Sequence, residues 1–359
     1  MRKGIAAAGC AAFIATTATA CGTAGNLSAG AKVQQALDRL GEQKAVTLSV
    51  GFGGSEQQIW SALKGSDGFT QDNAKMLAGL DVSLSMSAAK PLKDVKGDEG
   101  DETSVALQVS LGRGKDLLEI RSLAGKQAYL RADLRQFLSL ADDLATQQDK
   151  ADLQGFRQML DAADDLPSSL KSVKDALGGK WVSVDPKGYE EFFKSMAKDN
   201  PAGSPLPDTS ALDAKTQERI TKALRDALEH NAKFTDAGSK DGADHVKVTV
   251  PAGKTADALA GALEPLADQL PDGFSPADLK KVPDKDVSVD VAIKDGTLSG
   301  VSLDLDQFDT GDEIHGALPL TVGFAPDARP VSAPAGATPL DPQDIMGAVM
   351  QLMAGGMDA

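Results

Sequence analysis

Strict alternation of apolar and polar residues recurs along the chain and constrains its fold more than any other feature. Val46, Leu48, Val50 and Phe52 follow this pattern near the start, and similar runs lie at 80–86, 105–111, 246–250, 287–293, 301–305 and 318–324. Successive side chains of a strand point to opposite faces, so each run predicts a strand with one apolar face. Gly-containing turns separate several runs, and Asp295-Gly296 is typical of a tight hairpin. The sequence therefore predicts an antiparallel meander with one solvated face.

Helical spacing of apolar residues appears between and beside these strands. It predicts a helix over 133–145, a continuation through Leu153 and Leu160, a helix that begins at Pro186, and one that carries Leu259 and Leu263. A short helix over 56–65 follows the first strand. The C-terminal run "DPQDIMGAVMQLMAGG" predicts a last helix that starts at Pro342 and ends at Gly355. The fold class predicted is α+β.

The N-terminus predicts export and a lipid anchor. Arg2 and Lys3 precede an apolar stretch over 4–14 that is too short to span a bilayer, and small residues follow it. Cys21 comes directly after Ala18-Thr19-Ala20, as in a bacterial lipobox, where an acyl chain such as palmitate is attached to the sulfur. A plain secreted protein with an accidental cysteine is the alternative, because Ala18 stands where the motif usually has a large aliphatic residue.

The remaining composition sets the domain organisation. We expect a lipoprotein signal peptide at 1–20, a flexible tether at 21–30, one domain at 31–325 with helical insertions near 145–175 and 200–235, and a Pro/Ala-rich segment with a Met-rich helix at 326–359. Beyond Cys21 there is no cysteine, so the fold depends on its apolar core. A net charge of −15 argues against nucleic-acid binding.

Segments that resemble catalytic or cofactor-binding motifs lack residues that those motifs require. "VPAGKTADAL" contains Gly-Lys-Thr, but a phosphate-binding loop needs a glycine at position 248, which is Val. His230, His245 and His315 are far apart and lack metal-ligand spacing. The acidic cluster between Asp304 and Glu313 misses the calcium-loop pattern. We therefore expect no enzyme activity, no metal and no cofactor.

Two segments resemble the LolA and LppX/LprG superfamily of bacterial, including actinobacterial, lipoprotein carriers. "GKQAYLRADLRQFLSLAD" (125–142) is a strand that ends in an aromatic residue and runs into a helix. "GKWVSVDPKGYEEFFKSM" (179–196) is a Gly-Lys-Trp strand before a proline-started helix. The resemblance implies a strongly curved antiparallel β-sheet (a half-barrel) wrapped over amphipathic helices, with an apolar cavity for acyl chains.

A lipid-binding role follows as the expectation from this resemblance. We expect a cell-envelope lipoprotein, anchored to the outer face of the cytoplasmic membrane, that as a monomer binds or carries a lipid or other apolar ligand. A non-catalytic envelope module that binds a protein or polymer is the alternative. Apart from Cys21 as the lipidation site, the residues expected at the ligand are Val82, Leu84, Leu107, Val109, Phe137, Phe192, Leu259, Leu263, Met346 and Met350.

The sequence allows two interpretations of the role of the C-terminal helix. Met346 and Met350 fall on one helical face, together with Ile345, Val349 and Met353. A helix this short is marginal alone in water, so the stripe needs a partner. It either caps the domain's own core or forms a lid that adapts to acyl chains.

Overall fold

Twelve strands form one open, mixed sheet in the computed structural model. It describes residues 28–66, 68–95, 102–112, 116–144, 149–189, 191–192, 222, 226, 231–264, 275–280, 282, 284–308, 314–326 and 328–355. The strands are β1 (Ala45–Phe52), β2 (Leu80–Ala88), β3 (Thr103–Leu111), β4 (Asp116–Leu123), β5 (Gln127–Ala132), β6 (Val182–Val184), β7 (Lys233–Lys240), β8 (Ala243–Pro251), β9 (Asp286–Lys294), β10 (Thr297–Asp304), β11 (Pro319–Pro326) and β12 (Thr338–Pro339). Their order is β12-β6-β5-β4-β3-β2-β1-β11-β10-β9-β8-β7.

Helices accompany the strands, so the fold is α+β as the sequence predicts. The described α-helices are α1 (Ala29–Glu42), α2 (Glu56–Leu63), α3 (Gln71–Gly79), α4 (Leu134–Leu144), α5 (Asp149–Ala162), α6 (Lys171–Leu177), α7 (Ala252–Leu263), α8 (Pro276–Leu279) and α9 (Pro342–Gly355). Residues 186–189 and 191–192 are also helical. Residues 200–210, whose Pro-rich composition is typical of a linker, lie outside the described residues, as does most of the predicted insertion at 200–235.

One strand pair corrects the expectation of an antiparallel sheet. β12 pairs with β6 in parallel, through Thr338 beside Val182 and Pro339 beside Ser183. The other pairs with a described register are antiparallel. A parallel pair cannot be joined by a tight hairpin, and here more than 150 residues separate the two strands, which leaves the chain free to return in either direction.

The chain divides into two compact units. The first takes its described residues from Met1–Phe69, Met86–Glu102 and Ser210–Pro330, and the second from Thr70–Ser85, Thr103–Thr209 and Val331–Ala359. The first unit therefore contains β1 and β7–β11 with α1, α2, α7 and α8. The second contains most of β2, then β3–β6 and β12, with α3–α6 and α9.

In the first unit, α1 packs along the far strands of the sheet. The helix contacts β7, β8, β9 and β10. Arg39 Nη1 donates a hydrogen bond to the carbonyl of Asp295 (3.0 Å), in the hairpin between β9 and β10. Lys32 Nζ lies 3.0 Å from Asp236 and 3.4 Å from Asp244. The sequence analysis missed α1, although Val33, Ala36, Leu37 and Leu40 have the i, i+3, i+4, i+7 spacing of an amphipathic helix.

In the second unit, a buried apolar cluster lies where α6 meets α9. Ala163, Leu166, Val173 and Ala348 form a buried apolar cluster, and Leu170, Leu177, Leu340 and Ile345 pack against it. By contrast, every residue of β3 and β5 is only partly buried. The core of this unit is therefore displaced toward its helices, and the middle strands are incompletely covered.

Candidate functional site

The apolar positions of β3, β4 and β5 form a continuous surface, which we call the apolar face. Leu107 on β3 lies opposite Ile120 on β4, and Ile120 lies opposite Leu130 on β5. The residues that share this face through cross-strand pairing are Val105, Leu107, Val109, Leu118, Ile120, Ser122, Ala128, Leu130 and Ala132. Cross-strand neighbours on one face lie within side-chain contact distance. The result is a contiguous surface of uncharged, mainly aliphatic side chains.

The opposite face of the same strands carries charge. Arg121 Nε donates to Glu119 Oε1 (2.7 Å), and Arg131 Nη2 donates to Asp116 Oδ2 (2.6 Å) and Glu119 Oε2 (3.2 Å). Both guanidinium groups lie over the ring of Trp181, 4.7 Å and 5.2 Å from its centroid. Such contacts are favourable cation–π interactions. The charged residues are thus tied to one another and to the tryptophan.

Asp116 is held ionised within this charged cluster. Burial alone would raise the pKa of its carboxyl group, but hydrogen bonds from Gln108 (2.7 Å) and Arg131 (2.6 Å) outweigh burial and lower that pKa. A carboxylate that already accepts from two side chains has its charge matched locally. The charged cluster therefore stabilises the sheet. Its charges are paired with one another and do not form a site for a charged ligand.

In an ordinary half-buried sheet the apolar face is buried and the polar face is exposed. Here the charged face is the more buried of the two. Glu119, on the charged face, is only 8% exposed, whereas its neighbour Ile120, on the apolar face, is 38% exposed. The segment around Ser332 contacts the charged face, where Arg121 Nη1 donates a hydrogen bond to the carbonyl of Ser332 (2.9 Å). A sheet normally turns its apolar side chains to the core. Here the apolar face retains accessible surface at its centre.

Exposed large apolar side chains are concentrated in this unit. The second unit contributes Ile120, Phe137, Phe156, Met159, Met346, Val349 and Met350, and the first contributes Phe234 and Phe308. Single exposed apolar residues are normal on protein surfaces, but a concentration of them marks a surface that contacts something else. Among the described parts of the chain, the second unit is therefore the better candidate for apolar binding.

The structure distributes the predicted ligand-binding residues among several elements. Leu107 and Val109 lie on the apolar face, and Val82 and Leu84 are half-buried apolar positions of β2. Phe137 of α4 is largely exposed although its neighbour Leu138 is buried. Phe192 is half-buried in the helical residues 191–192. The prediction missed Leu118, Ile120 and Leu130, although the alternation in "DLLEIRSL" carries the signal for the first two.

Leu259 and Leu263 belong to the other unit. Both lie on α7, where Leu263 is buried and Leu259 is half-buried. The helix begins directly after Pro251 at the end of β8. This short strand-to-helix connection agrees with the absence of the glycine that a phosphate-binding loop needs at position 248. A side chain at Gly253 would collide with Asp284, so the glycine serves a close backbone approach.

Met346 and Met350 lie on the outward side of α9. Ile345 packs against the buried cluster and Ala348 is 2% exposed, whereas Met350 is 63% exposed. The hydroxyl of Ser172 donates to Asp344 Oδ2 (2.7 Å) at the start of the helix. The helix therefore docks through Ile345 and Ala348 and leaves Met346 and Met350 facing outward. The apolar stripe predicted from spacing is split between these two sides.

Cys21 and the predicted signal peptide lie outside the described residues. Within the described part of the chain, no helix is long and apolar enough to cross a membrane, and no three His, Cys, Asp or Glu residues lie together in a group that could hold a metal ion. His245 Nδ1 lies 2.6 Å from Asp290 Oδ2, a pairing that the 45-residue separation concealed. The chain matches no protein-family model and no curated protein.

Proposed function

We propose that this chain is a non-catalytic cell-envelope lipoprotein that binds or carries a lipid or other apolar ligand. The observation that supports this most directly is the partial exposure of Ile120 at the centre of an uncharged sheet face. An acyl chain laid along that face would remove apolar surface from water on both partners. Burial of about ten methylenes contributes roughly 8 kcal/mol, from which the cost of association is subtracted, so a longer buried acyl chain binds more tightly.

The proposal extends to fold and location. The sheet would be strongly curved as a half-barrel over amphipathic helices, with the apolar face on its concave side. Acylation of Cys21 would hold the protein, as a monomer, at the outer face of the cytoplasmic membrane. The support for the anchor is the sequence around Cys21, where a basic start, an apolar run and small residues precede the cysteine.

A charge placed on the apolar face tests the proposal. We expect Ile120→Asp to weaken binding of a fluorescent fatty acid about tenfold or more, because the carboxylate would lose water to the ligand without gaining a partner. Phe308→Asp is the matched control, since Phe308 is a comparably exposed apolar residue of the other unit. Both proteins should melt near the wild-type temperature. Equal affinity of the two variants would contradict the proposed site.

A second candidate, binding of a protein or polymer partner, draws on the same exposed residues. Apolar side chains on α4, α5 and α9 would also suit a protein interface. The two candidates differ in what accompanies the purified protein. Lipid in an organic extract supports the first. A lipid-free protein that retains one envelope component through its exposed apolar residues supports the second.

A further inference from the structure

The outward side of α9 is rich in methionine. Met346 and Met350 are 38% and 63% exposed, and Val349 between them is exposed as well. Residues 345–355 contain no charged side chain, although a quarter of the whole chain is charged. Exposed helix faces of soluble domains normally carry polar and charged residues. This surface is therefore neither core nor an ordinary solvated face.

Methionine is concentrated here beyond what an apolar surface requires. Four of the nine methionines of the chain lie within residues 346–359, where there is one leucine. Leucine would supply a similar apolar area at a similar helix propensity. What methionine adds is a thioether sulfur, a soft and polarizable donor of the kind that binds Cu(I). The thioether is therefore the chemical property that distinguishes this surface.

The two exposed methionines are spaced for binding one ion together. Met346 and Met350 are four residues apart on α9, so their side chains are neighbours on the helix surface. By sequence spacing, Met353 falls on the same helical face. A methionine side chain is unbranched and flexible, which lets its sulfur turn toward a common ion. The thioethers can thus converge on one point beside the helix.

The backbone that carries these methionines is fixed to its unit. Ile345 packs against the buried cluster to which Ala348 belongs. At the start of the helix the hydroxyl of Ser172 donates to Asp344 Oδ2 (2.7 Å). A backbone that is already ordered loses little conformational entropy when a ligand binds. Only the methionine side chains would have to be ordered by the ion.

We propose that Met346 and Met350 bind Cu(I) through their thioether sulfurs. Residues 345–355 contain no His, Cys, Asp or Glu, so Ca²⁺ and Zn²⁺ find none of their usual side-chain ligands in this stretch. The net charge of −15 favours the approach of a cation. The spacing of histidines and carboxylates cannot reveal such a site, because its ligands are thioethers. The site is independent of lipid binding by the apolar face.

Replacement of methionine by leucine tests the site, because leucine keeps the apolar surface and the helix but removes the sulfur. The full chain would carry Cys10→Ser and Cys21→Ser, since thiolates also bind Cu(I). Cu(I), kept reduced with ascorbate, would be titrated in competition with the chromophoric chelator bicinchoninate. We expect Met346→Leu with Met350→Leu to weaken Cu(I) binding about tenfold or more. The control Met159→Leu, at a methionine of α5 about as exposed as Met346, should leave it unchanged.

A second measurement locates the ion on the helix. Titration with Ag(I), a redox-inert analogue of Cu(I), should shift the NMR signals of the Met346 and Met350 ε-methyl groups more than that of Met159. Melting temperature and fatty-acid affinity of the double leucine variant should match those of the unsubstituted protein, which separates this result from a failure of the proposed lipid site. Absence of competition with bicinchoninate, or equal Cu(I) affinity after both leucine substitutions, would overturn the proposal.

Discussion

Asp175 forms hydrogen bonds that connect several elements of the second unit. It is 3% exposed, and its carboxylate accepts hydrogen bonds from Lys171, from Lys180 (2.8 Å) and from the Thr338 hydroxyl (2.9 Å). Those from the two lysines are the largest cause of the lowered pKa of Asp175 and outweigh the opposing effect of burial. One carboxylate thus links α6, the approach to β6 and the short strand β12.

Replacement of Asp175 by Asn should destabilise the second unit. We expect a loss of about 1–3 kcal/mol, because Thr338 and the lysines lose a charged acceptor in a buried position. A depressed pKa contributes stability above the unfolded value, about 3.9, and that contribution disappears as the pH falls toward the folded pKa. Urea unfolding at pH 7 and pH 3 measures both effects. A variant as stable as the wild type at pH 7 would contradict this role.

The sequence could not predict this arrangement. Thr338 lies 163 residues from Asp175 along the chain, and nothing local in "KSVKDALGGK" distinguishes a buried aspartate from a solvated one. The same holds for Trp181, which lies half-buried just before β6, beneath two arginines that are remote from it in sequence. Partners that are brought together only by tertiary structure leave no periodic signal.

At the scale of the element, α9 shows why spacing alone does not identify a docking face. Small residues allow close approach of another helix, and Gly347 places its backbone toward Leu170. Ala348 follows it into the buried cluster. A prediction from large apolar residues alone includes Ile345 on this side and the exposed methionines on the other, and it misses both small residues. Strands were easier, because their period of two survives whichever face is covered.

Two substitutions on opposite sides of α9 distinguish its faces. Ala348→Asp should destabilise the second unit by several kcal/mol, because it buries a charge in the cluster with Val173. Met350→Asp should change stability by less than about 0.5 kcal/mol, because the side chain is exposed. Thermal melts of both proteins provide the measurement. Comparable losses would mean that the methionine side also packs against the fold.

For the strands, alternation in the sequence predicts the elements but does not predict which face of the sheet is covered. Alternation located β1–β3 and β8–β11 and assigned Leu107 and Val109 to an apolar face. It could not show that the charged face is the better covered one, since Glu119 and Arg121 have the same alternation as solvent-facing residues. Their mutual pairing, and the contact of Arg121 with Ser332, depend on a segment more than 200 residues away. β7 was missed because its residues are all exposed and mostly polar.

At the scale of the whole molecule, charged and apolar surfaces are distributed unevenly. A net charge of −15 keeps most of the protein well solvated. The uncharged face of β3–β5 and the outward side of α9 are departures from that composition, and both belong to the second unit. We propose lipid binding for the first of these surfaces.

We infer that the apolar face holds a lipid, and organic extraction of the purified protein tests this inference. Purified full-length protein and its Ile120→Asp variant would be extracted with organic solvent and the extracts analysed by mass spectrometry. We predict acyl species in the wild-type extract in a reproducible ratio to protein, and several-fold less in the variant extract at unchanged melting temperature. A wild-type extract without acyl species, or equal amounts from both proteins, would contradict the account.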